Sequence, residues 1–283
     1  MLNIGTQYSG YKIINANDPN VANLYADKTI NWFDLLENQY LIIVNEDGNV
    51  LDKFKWQDGK HKTTVKKPID NGFFGKIKPK NIEQELAIDA LMDETTTVKV
   101  LTGGFGSGKT FLGCACAFQM LQNANIQKIM WIRNNIEVKD SNPIGHLKGT
   151  FTDKMTVWAM PLADHIGGKE MLELNINKGL IEIEHLGFLR GRDIKHTLIF
   201  CSEAEHLTRE HVQLLLGRVG EGSILLLEGD CRQIDAKAFE RDNGLEAAIE
   251  LIKGNRLFSY VHLNESVRSE TAKLADLLNK PIN

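Results

Sequence analysis

The stretch 98-VKVLTGGFGSGKTFLGCACA-117 decides the fold. Val98 to Thr102 is an apolar run of strand length, and Lys109 to Gln122 spaces its apolar residues as a helix does, so the glycine-rich segment between them joins a strand to a helix. Gly103, Gly104, Phe105, Gly106, Ser107, Gly108, Lys109 and Thr110 match the phosphate-loop pattern Gly-x4-Gly-Lys-Thr. Glycines there let successive backbone N–H groups turn inward around β- and γ-phosphates, Lys109 neutralises them, and the Thr110 hydroxyl suits Mg²⁺. Phe111, on the first turn of the helix, completes the candidate nucleotide-binding set. A dinucleotide fingerprint is excluded, because its third glycine would fall on Lys109.

Working outward, the same alternation recurs. The apolar runs 126-IQKIMWIR-133, 179-GLIEIEHL-186, 196-HTLIF-200, 223-SILLLEG-229 and 257-LFSYVHL-263 alternate with helical stretches at 152–166, 208–219, 243–253 and 266–278. Continuously apolar strands followed by helices predict an α/β fold whose parallel sheet is covered by helices on both faces. Ligands of such sheets bind at the C-terminal strand ends. One end delivers Ser202-Glu203, where nucleotide-hydrolysing enzymes place an Asp-Glu pair. Another delivers Gly229-Asp230-x-x-Gln233, with Asp230 and Gln233 one turn apart, an arrangement suited to sensing a γ-phosphate and orienting the attacking water. Ahead of the loop, Asn81 and Gln84 open a helix. A Gln amide can read an adenine edge through paired hydrogen bonds, and Asn81 can equally be an ordinary N-cap.

Before Lys80 the pattern changes. 39-QYLIIVNEDGNVLDKFKWQDGKHKTTV-65 alternates apolar and polar residues around Asp47-Gly48 and Asp58-Gly59 turns, which predicts a three-stranded antiparallel meander. Residues 1–79 are therefore read as an N-terminal region with a lysine-rich β module, and 80–283 as the α/β domain. Lys53 to Lys80 holds nine lysines against two aspartates, a local +7 in a chain of net charge −4. Interleaved with Phe54, Trp56, Phe73 and Phe74, this excess suits a phosphate backbone with stacked bases, through Lys53, Lys55, Lys60 and Lys62. The alternative is a solvated hairpin whose lysines protect an edge strand.

The 283 residues are 42% hydrophobic, enough for one large core or two unequal ones. No apolar run approaches the ~18 residues that cross a bilayer, and the N-terminus lacks a signal-peptide pattern, so a cytoplasmic protein without a membrane partner is expected. Cys114, Cys116, Cys201 and Cys231 are too few and scattered for a disulfide framework, and no second pair completes a zinc site. They read as packing residues.

Taken in order, 81-NIEQELAIDAL-91, 102-TGGFGSGKTFLGCACA-117, the 132–149 segment, 181-IEIEHLGFLRGR-192, 229-GDCRQID-235 and 265-ESVRSE-270 resemble the PhoH family, P-loop ATPases related to the first RecA-like domain of superfamily 1 helicases. The resemblance covers about residues 80–279. It implies a RecA-like P-loop domain, ATP and Mg²⁺ as cofactors, and RNA or single-stranded nucleic acid as a partner, with Arg133, Lys148 and Arg190 among the contacts. The lysine-rich hairpin is similar to the connector that precedes the ATPase core in longer family members. Those carry a nuclease domain in front, and the short span before the hairpin leads to the expectation that it is missing here.

The chain departs from the family at Arg133-Asn134, where Arg-Pro is usual, and at 145-GHLKG-149. It departs most at Ser202-Glu203-Ala204-Glu205, where the family reads Asp-Glu-Ala-Gln. The expected metal set is then Thr110, Ser202 and Glu203, with Glu203 also the base, and with Glu205 a substitute for the missing charge. Asp230, Gln233, Arg192 and Arg268 complete the catalytic candidates. The arginines are expected to reach the ATP of a neighbouring copy in a head-to-tail ring, since no second RecA-like domain follows. A second hypothesis is a degenerate ATP-binding assembly protein with little turnover. A nucleotide kinase, the third, would need an acceptor pocket and an arginine-rich lid, and the Arg190-Gly191-Arg192 and Gly-Asp-x-x-Gln segments are not its pattern.

Overall fold

Continuously apolar strands need cover on both faces, and the chain supplies it twice. The structure is a computed structural model that describes residues 8–64, 67–134, 157–233 and 243–267. The first sheet contains β1 (Tyr11–Asn15), β2 (Tyr40–Val44), β3 (Val50–Gln57) and β4 (Lys60–Thr63) in that spatial order, with helix α1 (Pro19–Ala26) between β1 and β2. β2, β3 and β4 form the expected antiparallel meander, and β1, which the sequence reading did not anticipate, adds in parallel to β2. Asp18 caps α1, its side chain accepting from the Asn20 N–H, and Pro19 fills the first turn.

The faces of β2 explain its composition. Tyr40 and Ile42 enter the main core, while Leu41 and Ile43 join Val21, Leu24, Phe33 and Phe54 in a separate cluster beneath α1. A small hairpin, β5 (Ile69–Asn71) and β6 (Gly75–Ile77), then docks on the helix after the phosphate loop, where Asn71 Nδ2 donates to the Ala115 carbonyl at 3.1 Å.

Next come α2 (Ile82–Leu91), β7 (Val98–Gly103), α3 (Lys109–Gln122), β8 (Lys128–Arg133), α4 (Met160–Ile166), α5 (Lys169–Asn177), β9 (Ile181–Glu184), β10 (Thr197–Ser202), α6 (Arg209–Leu216), β11 (Ile224–Gly229), α7 (Gly244–Ile252) and β12 (Phe258–Leu263). The strands form one parallel sheet in the order β12-β7-β11-β10-β8-β9. Leu101, Trp131, Phe200 and Leu226 pack on one face with Leu86, Leu112 and Ala115 of α2 and α3. Val100, Met130, Ile199 and Leu227 pack on the other with Val212, Leu245 and Ile249 of α6 and α7. This is the predicted α/β architecture, with α5 an unforeseen addition. The second half of the 152–166 helix is present as α4, and the 266–278 helix lies outside the described residues apart from its first two positions. All four cysteines are free thiols, and Cys114, Cys116 and Cys201 are buried.

α2 is wedged between the two sheets, so polar positions on it find partners rather than solvent. Tyr11 donates to Glu83 at 2.5 Å and Tyr40 to Asp89 at 2.7 Å, while Lys53 pairs with Glu85 and Lys55 with Asp93 just beyond the helix. The buried amide of Asn38 donates to the Arg256 and Phe258 carbonyls at 3.0 and 2.9 Å, and the His262 N–H donates to the Ser9 carbonyl at 3.0 Å. Among the described residues no helix is long and apolar enough to cross a membrane.

A phosphate-loop site at the strand ends

The sheet order sets β7, β11 and β10 side by side, so their C-terminal ends bring together residues 103–110, Glu228 to Asp230, and Ser202-Glu203. Gly103 has φ +156°, and a Cβ there would lie 2.5 Å from the Leu263 carbonyl oxygen, so only glycine lets the loop leave the strand so closely. Gly108, with φ +93°, begins α3, whose first turn has no side-chain cap and presents its N–H groups to the loop. Ser107 Oγ and Lys109 Nζ donate to the Gly104 carbonyl at 2.9 and 3.2 Å. Phe105 is 64% exposed on the loop, and Phe111 packs edge-on against Phe74 and His165.

Behind the loop stands a residue that sequence reading missed. Glu228, at the end of β11, has a buried side chain whose carboxylate lies 3.8 Å from Lys109 Nζ. Ser202 Oγ donates to its other oxygen at 3.3 Å, and the Thr110 hydroxyl lies on this carboxylate's side of the loop. Burial pushes this carboxyl above its ordinary range, and Lys109, Thr110 and Ser202 pull it back. Ser202 and Glu228 are register partners across β10 and β11. The sequence signal was the acid closing the otherwise apolar run 223-SILLLEG-229.

Glu205 does not take the vacated place. Its carboxylate accepts from the Asp230 N–H at 3.1 Å, and burial pushes it up to about 8, so it is largely uncharged at neutral pH. Glu203 adopts a left-handed backbone, φ +54°, unusual outside glycine and common where function holds a residue in place. Arg133, expected on nucleic acid, grips the Glu203 carboxylate with two nitrogens, Nε at 3.0 Å from one oxygen and Nη2 on the other. Asp230 and Gln233 do meet, the Gln233 amide donating to Asp230 at 2.5 Å. Asp230 lines a small cavity of about 130 Å³ with Thr102, Arg232 and His262.

Several expectations change because side chains find partners inside the chain. Asn81 is the N-cap of α2, accepting from the Gln84 N–H at 2.9 Å. Gln84 accepts from the Lys80 N–H at 2.9 Å and donates to the Ser107 carbonyl at 3.0 Å, so its amide braces the phosphate loop. Arg192, expected to reach a neighbouring copy, is held by Glu182 and Glu184 of its own β9 at 2.8 and 2.7 Å. Arg190, two residues earlier, is exposed. Lys53 and Lys55 lie on the face of β3 that α2 covers and are paired there, and Lys62 donates to Gln57 and Asp58. Lys60 is exposed. Lys148 and Arg268 lie outside the described residues.

A parallel sheet with a phosphate loop at its β7 end and carboxylates on the adjoining strand ends defines a RecA-like P-loop nucleotide-binding domain. The sequence profile of the family described as PhoH-like protein matches residues 76–278. The chain belongs to the PhoH family, a family of P-loop ATPase-type proteins. It is similar to Protein PhoH2 of Bacillus subtilis (strain 168), 32% identical over 286 residues that cover 96% of this chain and 64% of the relative. It also resembles Protein PhoH2 of Thermobispora bispora, 32% identical over 72% of this chain and 48% of that protein. A PhoH-like protein of B. subtilis is 32% identical over 58% of this chain and 51% of its own length. The chain thus spans about half to two thirds of the length of these relatives.

Proposed function

We propose that this protein binds and hydrolyses ATP with Mg²⁺ and acts on RNA or single-stranded nucleic acid as a homo-oligomeric ring. The observation that carries the hydrolytic reading is the convergence of Lys109, Thr110, Ser202 and Glu203 at the ends of β7 and β10, which flank β11. Among the described residues no three His, Cys, Asp or Glu side chains form a protein-only metal site. That donor set fits Mg²⁺, which is commonly held by one or two protein oxygens together with substrate phosphates and water. When bound, the ion neutralises charge developing on the phosphoryl oxygens. The loop N–H groups and Lys109 bind and orient the phosphates, and Glu203, released from Arg133, accepts the proton of the attacking water.

The nucleic-acid reading rests on the lysines that remain exposed. Lys76, Lys78 and Lys80, with Lys67, line a groove of about 480 Å³ beside Asn81. The ring reading rests on the family resemblance, in which a transition-state arginine is supplied by another copy; Arg192 is paired within its own chain, which leaves this role to other arginines. The Arg133–Glu203 pair also favours a second reading, nucleotide binding without turnover, because both carboxylate oxygens are then engaged by the guanidinium and not by a water. Phosphate release with and without single-stranded RNA separates the two: stimulation by RNA supports the first, and a rate equal to that of Glu203→Gln in both conditions supports the second.

A further inference from the structure

Glu228 is a buried carboxylate at the nucleotide site to which the sequence pattern assigns no role. Its side chain is only 4% exposed, it shares its face of β11 with Ile224 and Leu226, and the groups around it belong to the nucleotide site: Lys109, Thr110 and Ser202. A charge is costly at such depth, and the apolar strand around it needs no acid for packing. The geometry points to Glu228 as the carboxylate that takes over, from the neighbouring strand, the metal-associated role left open by Ser202. The inference rests on the nucleotide reading and extends it to a residue outside the expected metal set.

Register makes the transfer possible. Ser202 and Glu228 lie opposite one another across β10 and β11, so a carboxylate lost from one strand end can be restored from the other by a side chain one methylene longer than Asp. The short Ser202 hydroxyl leaves room for it and donates to Glu228 Oε2, fixing the carboxylate's direction, while Thr110 and Lys109 meet it from the loop. In nucleotide-free protein Lys109 balances the buried charge. With phosphates in the loop, Lys109 is drawn to them and the negative group beside Thr110 faces the cation instead. Glu205, the acid expected to replace the missing charge, is turned instead to the backbone N–H of Asp230.

The test uses the full chain, with ADP or a non-hydrolysable ATP analogue and Mn²⁺ as a spectroscopic stand-in for Mg²⁺, and reads binding rather than turnover. Glu228→Gln should weaken Mn²⁺ affinity in the nucleotide complex about 10- to 100-fold, while nucleotide affinity in EDTA stays the same or rises. The exchange variant Ser202→Asp/Glu228→Gln, which returns the carboxylate to β10, should recover most of the metal affinity. If Glu228 serves only to anchor Lys109, the single variant changes nucleotide affinity equally with and without metal and the exchange restores nothing, which overturns the inference. Should Glu228→Gln fail to fold, the exchange variant decides alone: retained metal dependence upholds the inference, and its loss overturns it. Wild type that binds nucleotide in neither condition overturns the nucleotide reading and this inference with it, whereas metal-dependent wild type matched by Glu228→Gln overturns this inference alone.

Discussion

Lys109 lies between the phosphate loop and Glu228, 3.2 Å from the Gly104 carbonyl and 3.8 Å from the carboxylate, so its removal acts on both sides. Lys109→Ala should reduce nucleotide affinity at least about 100-fold, because it deletes the loop's charge and leaves Glu228 facing the phosphates unopposed. Isothermal titration calorimetry checks this, and unchanged affinity would contradict the loop reading. Glu203→Gln should lower phosphate release about 10²- to 10³-fold with nucleotide affinity nearly unchanged, since a base acts in the transition state and not on the bound ground state. The loop, Ser202, Glu203 and the Asp230–Gln233 pair were legible because each sits at the end of an apolar run in a recognisable order. Glu228 was not, because which strand end faces which depends on the β7-β11-β10 order, a tertiary fact. The same reason hid the partners of Arg133 and Arg192, whose charge was visible and whose neighbours were not.

At the scale of elements, β3 shows how an alternating pattern can be read with its faces reversed. Lys53 and Lys55 look like a solvated face in 50-VLDKFKWQ-57, yet α2 covers that face and supplies Glu85 and Asp93. The clue was β2, whose five residues YLIIV are apolar without alternation, the mark of a strand buried on both sides. β1 and α1 escaped notice because a five-residue strand and a two-turn helix give little periodicity. The Lys55–Asp93 tie has a pH signature. Burial alone would raise the Asp93 carboxyl, but Lys55 and two Thr95 donors hold it well below the usual range. A depressed carboxylate stabilises the fold above its unfolded value, near pH 4, and the contribution is lost as pH falls through the folded value. Chemical denaturation should therefore show Asp93→Asn less stable by about 3–5 kcal/mol at pH 7, because Lys55 is left buried and unpaired, with the deficit shrinking toward pH 2. A deficit constant with pH would contradict the assignment.

Across the whole molecule the two sheets are stitched by hydrogen bonds through α2, Asn38 and Ser9. The similarity to Protein PhoH2 of B. subtilis covers 96% of the chain and so reaches well into this module. Charge reversal at Lys76, Lys78 and Lys80 should weaken binding of single-stranded RNA and lower the slope of log affinity against log salt by about 2. Reversal at Lys53 and Lys55 should instead lower the melting temperature, since these lysines oppose buried acids. An unchanged salt slope in the first variant would remove the groove from the account. The measurement that bears most directly on the central claim is steady-state phosphate release by the full chain at saturating ATP and Mg²⁺, with and without single-stranded RNA, beside Glu203→Gln. The account predicts wild-type release above the variant by about 10² or more, rising further with RNA. Release indistinguishable from that of Glu203→Gln in both conditions would contradict it, and would leave a protein that holds nucleotide without hydrolysing it.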